Sequence, residues 1–241
     1  MNKIIVQNDI CIIKLNNKPE NYLGKPEFVS KKELNKAIKD SKSKAIIITG
    51  AGRHFSAGAD VGNIKEFLKS GTLREEMRKG KELLSAIKDF NIPVIACVEG
   101  VCFGGGLEIV LYADIKIVSE KSLFAFPESN LNLIPGLGAS LNLPQITGKT
   151  KALELILSGN MINAQDAKDL RIADYIVQSK KTLIEGIKLA KMMTKSKKRE
   201  VITAVVELVR KSGNTNYDKL IKRETELFCK LAAKAAENDE I

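Results

Sequence analysis

Near its start the chain alternates apolar and polar residues in two short runs, KIIVQ (3–7) and CIIKL (11–15), separated by Asn8-Asp9. That pattern predicts a β-hairpin. A polar stretch, NNKPENYLGKPEF, leads to Ser30 and the periodic SKKELNKAIKD, a helix with Ser30 as its cap. AIIIT (45–49) and PVIACV (93–98) are continuous apolar runs bounded by glycine or proline, the mark of strands buried on both faces. Helical patterns lie between them at about 61–70 and 73–90. After the second run come a short helix, GGLEIVLYAD, and two more strands, IKIVS (115–119) and LFAF (123–126).

From residue 137 the pattern turns helical through GASLNLPQITG, KTKALELILSG and NAQDAKDL, the last capped by Asn163. One further strand, ADYIV (173–177), precedes three final helices ending near residue 236. The reading is an α/β core over 1–178 and a helical C-terminal region over 179–241.

Composition refines this picture. The chain has 241 residues, 44% of them hydrophobic, which suits one large domain. No apolar run approaches the roughly eighteen residues of a membrane span. The N-terminus lacks a signal peptide's apolar centre, so a cytoplasmic protein is expected. Cys11, Cys97, Cys102 and Cys229 form no CxxC pair, and read as buried thiols rather than a disulfide or zinc set. The single histidine, His54, has no second histidine with which to build a metal site and reads as structural. A formal charge of +10 favours anionic partners, either nucleic acid or a small phosphorylated molecule. Its lysines spread along helices, with one dense run, KSKKR, at 195–199. The few aromatics do not interleave with them as in a single-strand binder.

The candidate chemistry gathers at two strand ends. PVIACV runs through Gly100 to Gly104-Gly105-Gly106, where a helix begins; AIIIT runs into GAGRHFSAGAD before a helix near Val61. The first N–H groups of a helix lack intrahelical partners and lie at its positive end, so bare corners of this kind suit an anion or oxyanion. If the two strands are neighbours in one parallel sheet, both corners meet at its carboxyl edge, where such sheets bind ligands. Glu108 falls in the first turn after the glycines, and Glu128 follows a strand in FAFPESN. Each alone could merely complement a helix dipole or fill a turn. Together with two donor corners they can polarise a carbonyl and move protons.

Four stretches in this order and spacing resemble the crotonase (enoyl-CoA hydratase/isomerase) superfamily: ITGAGRHFSAGADV (48–61), PVIACVEGVCFGGGLEIVLYADIKIVSE (93–120), FAFPESNLNLIPGLGAS (124–140) and LILSGNMINAQDAKDLRIADYIV (155–177). The resemblance implies a spiral of repeated β-β-α units. It implies that the backbone N–H groups of Ala59 and Gly105 hold the thioester carbonyl of an acyl-CoA, with Gly104 beside them. It implies the two hydratase carboxylates at Glu108 and Glu128, and at Gly136 a backbone position that helps place the water. Adenine contacts would fall on backbone groups of Ala57, Ala59 and Val61, and Lys18 would meet a CoA phosphate. No prosthetic group and no metal are implied; coenzyme A enters as part of the substrate. A homotrimer or dimer of trimers is expected, assembled through the C-terminal helices.

Three departures accompany the resemblance. NNKPENYLGKPEF stands where relatives tend to show a run like RPxALNAL, and ASLNLPQITG replaces a more typical GTQRLPRxxG. The sequence ends at AAKAAENDEI, where many hydratases continue into a further helix. Short crotonase-fold enzymes that act on carrier-protein-bound substrates share that feature, so a carrier-protein dehydratase or decarboxylase is the alternative, beside an enoyl-CoA isomerase. ITGAG with Tyr112-ADI-Lys116 also resembles a short-chain dehydrogenase. That reading fails because His54 and Ser56 occupy the required glycine positions. RNA binding through KSKKR is weighed against the retention of both glutamates, which favours catalysis.

Overall fold

The computed structural model describes residues 2–213 and 215–237; the last four residues of AAKAAENDEI lie outside the described residues. The hairpin forms as its pattern predicts. β1 (Lys3–Gln7) and β2 (Ile10–Leu15) pair antiparallel across Asn8 and Asp9, both at positive φ as a two-residue turn of this hand requires. α1 (Lys31–Ser41) begins where the Ser30 hydroxyl accepts the Glu33 N–H. β3 (Ala45–Gly50), α2 (Val61–Lys69), α3 (Leu73–Asp89) and β4 (Val94–Val98) follow.

Beyond β4 the structure adds elements that periodicity does not show. Val101–Phe103 is a separate three-residue strand, β5, turned out of the line of β4 at Gly100. α4 (Gly105–Leu111), β6 (Ile115–Ser119) and β7 (Leu123–Ala125) come next, then a 3₁₀ helix over Pro127–Leu131. α5 (Ala139–Thr147) and α6 (Lys149–Ser158) lead to β8 (Ile162–Asn163), and α7 (Ala164–Asp169) starts from a capping box between Asn163 and Asp166. β9 (Tyr175–Val177), α8 (Thr182–Thr194), α9 (Arg199–Lys211) and α10 (Tyr217–Ala236) complete the described chain.

The strands form two sheets. The larger has the order β1-β2-β3-β4-β6-β9, parallel from β2 onward; the smaller has the order β5-β7-β8. β4 passes into β5 and β6 into β7, so these two strands of the larger sheet each hand the chain to a short strand of the smaller one before the next helical turn. This is the β-β-α repeat expected of the chain.

Alternate residues of the continuous apolar strands serve opposite faces. Ile46, Ile48, Val94 and Ala96 join the core that also holds Leu34 of α1 and Leu83 and Leu84 of α3. Ile47, Ile95, Cys97 and Ile117 face the other way, where Ala190, Leu183 and Ile187 of α8 cover them. α9 is tied down by Arg210, which donates to Asp114, to the Lys88 carbonyl in the last turn of α3 and to the Ile92 carbonyl just beyond it. α10 buries none of its residues.

Cys11, Cys97 and Cys102 are buried thiols, as expected, with Cys11 and Cys97 pushed up to about 12 by burial. Cys229 departs from that expectation and lies exposed on α10.

Candidate active site

β3 and β4 are parallel neighbours, with Thr49 opposite Cys97, so the chain leaves both strands at the same edge. Their loops touch at once. Phe103 N–H donates to the Ser56 carbonyl at 2.9 Å, and Ser56 N–H to Val101 at 3.2 Å. This contact explains one of the three glycines. A Cβ on Gly106 would lie 2.8 Å from both Cβ and the carbonyl oxygen of Ser56, too close for any side chain. Gly104 answers a different demand: its φ is 48°, and a Cβ there would meet Glu128 Oε1 at 2.8 Å. The middle glycine, Gly105, opens α4 close to Ala59; a Cβ on it would lie 4.0 Å from the Ala59 nitrogen. Neither the Gly105 nor the Ala59 N–H donates to another group among the described residues.

The polar stretch that the sequence marks as a departure holds the first corner in place. Leu23 N–H donates to Gly58, Asp60 N–H to Leu23, and Ala57 N–H to Glu20. The Ser56 hydroxyl donates to the Asn21 carbonyl at 2.8 Å and accepts the Gly58 N–H at 3.1 Å. Buried Asn21 donates to the Ala51 and His54 carbonyls. These residues have no motif spacing, and their polarity reads as loop. Only the fold shows that they set the direction of the Ala59 N–H.

The two N–H groups border a cavity of about 260 Å³. Ile64 and Phe67 of α2, Leu73 and Met77 of α3, and Leu133 and Ile134 after the 3₁₀ helix supply apolar wall. Glu108 and Glu128 face into the same cavity.

The two carboxyl groups sit in unlike surroundings. Glu108 is 2% exposed. Its Oε1 accepts the N–H groups of Leu137 at 2.8 Å and Ala139 at 2.9 Å, and Oε2 accepts that of Gly136 at 3.1 Å. It therefore caps the start of α5 from α4, with a carboxylate at the positive end of a helix. Burial pushes its pKa up, and these backbone N–H groups pull it back. Glu128 has no such collar. Its Oε2 is buried without a partner, and burial, reinforced by the charge of Glu108 against the pull of its own backbone N–H, lifts it to about 7. Burial pushes both carboxyls up, and Glu108 has three backbone N–H donors that Glu128 lacks.

Of the other residues singled out by sequence, Ala57, Val61, Lys18 and Gly104 are not part of the cavity wall. Ala57 has given its N–H to Glu20, so only its carbonyl is free to meet a ligand. Val61 opens α2 and is 44% exposed. Lys18 is exposed, with its stem near the turn at Gly52. Gly104 lies behind Glu128, and Gly136 lines the cavity with its N–H on Glu108. His54 accepts the Val101 N–H through Nδ1 at 3.1 Å, a structural place. Among the described residues no cluster of His, Cys, Asp and Glu could hold a metal ion.

A spiral of β-β-α units thus sets two N–H groups and two unlike carboxyls around one apolar cavity. The family model for enoyl-CoA hydratase/isomerase matches residues 6–239, and the chain belongs to that family. It is 32% identical over 232 residues to a probable enoyl-CoA hydratase of Bacillus subtilis (strain 168), across 93% of this chain and 88% of that one. It is 31% identical over 201 residues to the 2,3-dehydroadipyl-CoA hydratase of Escherichia coli (strain K12), across 83% and 77%. The crystal structure of an enoyl-CoA hydratase from Polaromonas sp. JS666 superposes with a TM-score of 0.87 over 95% of this chain and 90% of that one, at 22% identity, and shares the fold.

Proposed function

We propose that this chain adds water across the 2,3-double bond of a trans-2-enoyl-CoA to give a 3-hydroxyacyl-CoA. The observation that carries the reading is the pair of unlike carboxyls, Glu108 and Glu128, facing one apolar cavity beside the unspent N–H groups of Ala59 and Gly105. The thioester oxygen accepts from those two N–H groups. As water adds, negative charge grows on that oxygen, and each donor is worth about 2.7–4 kcal/mol of barrier. Glu108, held as carboxylate by three N–H groups, takes a proton from water while the oxygen bonds to Cβ. The C=C electron pair moves toward Cα and the thioester, and neutral Glu128 delivers its proton to Cα. Exchange with solvent returns the proton from Glu108 to Glu128 after product leaves.

The CoA moiety would cross the rim of the first corner, with adenine against the Ala57 carbonyl and the backbone of Ala59 and Val61. Lys18 would meet a phosphate. No prosthetic group or metal takes part in these steps. A homo-oligomer, a trimer or dimer of trimers, fits the apolar side chains left exposed on the protomer, such as Leu141, Leu157 and Phe228. Cytoplasmic residence fits a chain in which no described helix is long and apolar enough to cross a membrane.

The test is loss of the conjugated-thioester absorbance across a series of trans-2-enoyl-CoA chain lengths, with matched 3-enoyl-CoA and enoyl carrier protein. Turnover of the 2-enoyl-CoA series supports the reading. Conversion of the 3-enoyl series without net hydration would make the chain an isomerase, and turnover of the carrier-protein substrate alone would remove free CoA.

A further inference from the structure

We propose that Tyr112 is a positioning residue for Glu108: through its hydroxyl bond to the Leu137 carbonyl it fixes the loop whose N–H groups hold the Glu108 carboxylate. This inference rests on the hydration reading above. The Tyr112 hydroxyl donates to the Leu137 carbonyl at 3.1 Å. Leu137 is the same residue whose N–H donates to Glu108 Oε1 at 2.8 Å. Glu108 and Tyr112 are four residues apart, so they leave α4 on the same side, one turn apart. They grip opposite ends of one residue in the loop, the carboxylate on its N–H and the phenol on its carbonyl.

The loop is shaped around that hydroxyl. Gly138 has a φ of 114°, and a Cβ there would lie 2.9 Å from the Tyr112 Oη. The ring itself is held, half-buried against the core, with Lys88 Nζ 5.1 Å from its centroid. Lys88 belongs to the end of α3, where Arg210 also bonds the Lys88 carbonyl and Asp114. A rigid ring and a bare glycine thus set where three backbone N–H groups point. Sequence singles out Tyr112 only as half of a dehydrogenase-like YxxxK. The structure separates the pair, because Lys116 lies on β6 near Asp174.

Loss of the hydroxyl frees the Leu137–Gly138 peptide to turn and loosens the N–H collar on Glu108. Those N–H groups lower the Glu108 pKa, so a looser collar raises it. The titratable group facing Glu108 across the cavity is Glu128, with Asp60 at the cavity wall; Lys88 stands over the Tyr112 ring, and Asp114, Arg210 and Lys116 lie near Lys88.

The experiment compares wild type with Tyr112→Phe, which keeps the ring. Crotonyl-CoA hydration is followed against pH, and the Glu108 carboxyl is titrated by carbon NMR, its signal assigned by absence in Glu108→Gln. Expected are a kcat lower by about tenfold, as for a lost positioning hydrogen bond, a KM within about twofold, and an acid limb moved to higher pH. The Glu108 titration moves upward with it. A fall in melting temperature with kcat and acid limb unchanged would make Tyr112 merely structural and overturn the proposal. If wild type hydrates nothing, the hydration reading fails by itself. The NMR titration then still decides: an unmoved Glu108 in Tyr112→Phe overturns the positioning role.

Discussion

Glu108 and Glu128 carry the same side chain into unlike surroundings at one cavity. Three N–H donors counter part of the burial of Glu108, whose pKa still lies above the usual carboxylate range, while Glu128 keeps one buried oxygen without a partner. Under the proposed roles, replacing either with Gln removes its proton transfer and lowers hydration by at least about 10²-fold. Glu108→Gln keeps Glu128 and so retains some exchange of the Cα proton with deuterated solvent, which proton NMR of the thioester detects. The pH profile follows from the same asymmetry. A general acid must be protonated, so kcat/KM falls as pH rises through about 7, the Glu128 titration, and this limb is absent in Glu128→Gln. Stability carries the matching sign. The raised pKa of Glu128 favours the fold while the group is neutral, and that contribution is lost as pH rises from the unfolded glutamate range through about 7. Glu128→Gln therefore gains in melting temperature relative to wild type between about pH 5 and pH 8. A parallel pH dependence of the two would contradict it.

At the scale of elements, the site depends on how closely two loops approach. Ser56 and Gly106 meet because β3 and β4 are neighbours and because Gly106 has no side chain. Gly106→Ala places a methyl 2.8 Å from Ser56 Cβ and backbone oxygen, so the backbone of one corner must move. The expected cost is about 1–3 kcal/mol of stability, seen in the denaturation midpoint. A shift of about 1 Å between the two N–H donors would cost about 10²-fold in kcat. Full activity in Gly106→Ala would mean the corners need not stay in register.

These corners were legible in the sequence because they sit where apolar runs end in glycine, and the long strands and helices were legible by period. The short elements were not. β5 and β8, of three and two residues, carry too few positions to show a period, and so does the five-residue 3₁₀ helix Pro127–Leu131 that holds Glu128. The supports of the site were hidden for another reason. Asn21 and Leu23, Met77, and Tyr112 reach it from three different segments, and only the folded topology brings them together.

At the scale of the whole molecule, the exposed faces carry the remaining argument. α8 is bound to the sheet through Ala190 and its neighbours, and α9 through Ile202 and Arg210. α10 packs along α9, with Leu220, Leu227 and Leu231 half-buried and with ion pairs beside them, of which the exposed Lys234–Glu200 contributes little. Yet Tyr217, Ile221 and Phe228 line one side of this helix, at spacings of four and seven, and Phe228 is 70% exposed. On a lone protomer Phe228 is mostly exposed, and Phe228→Asp changes stability by no more than about 0.5 kcal/mol. In the proposed homo-oligomer, with this stripe packed against another copy, the same change places an unpaired charge in an apolar contact. Light scattering at micromolar concentration separates the two cases. Wild type is expected at a multiple of the 26.5 kDa protomer mass, and Phe228→Asp at a lower multiple with its circular dichroism unchanged. A wild type of single mass would end the oligomer proposal. An oligomer indifferent to Phe228→Asp would move the contact away from α10, toward the exposed leucines of α5 and α6.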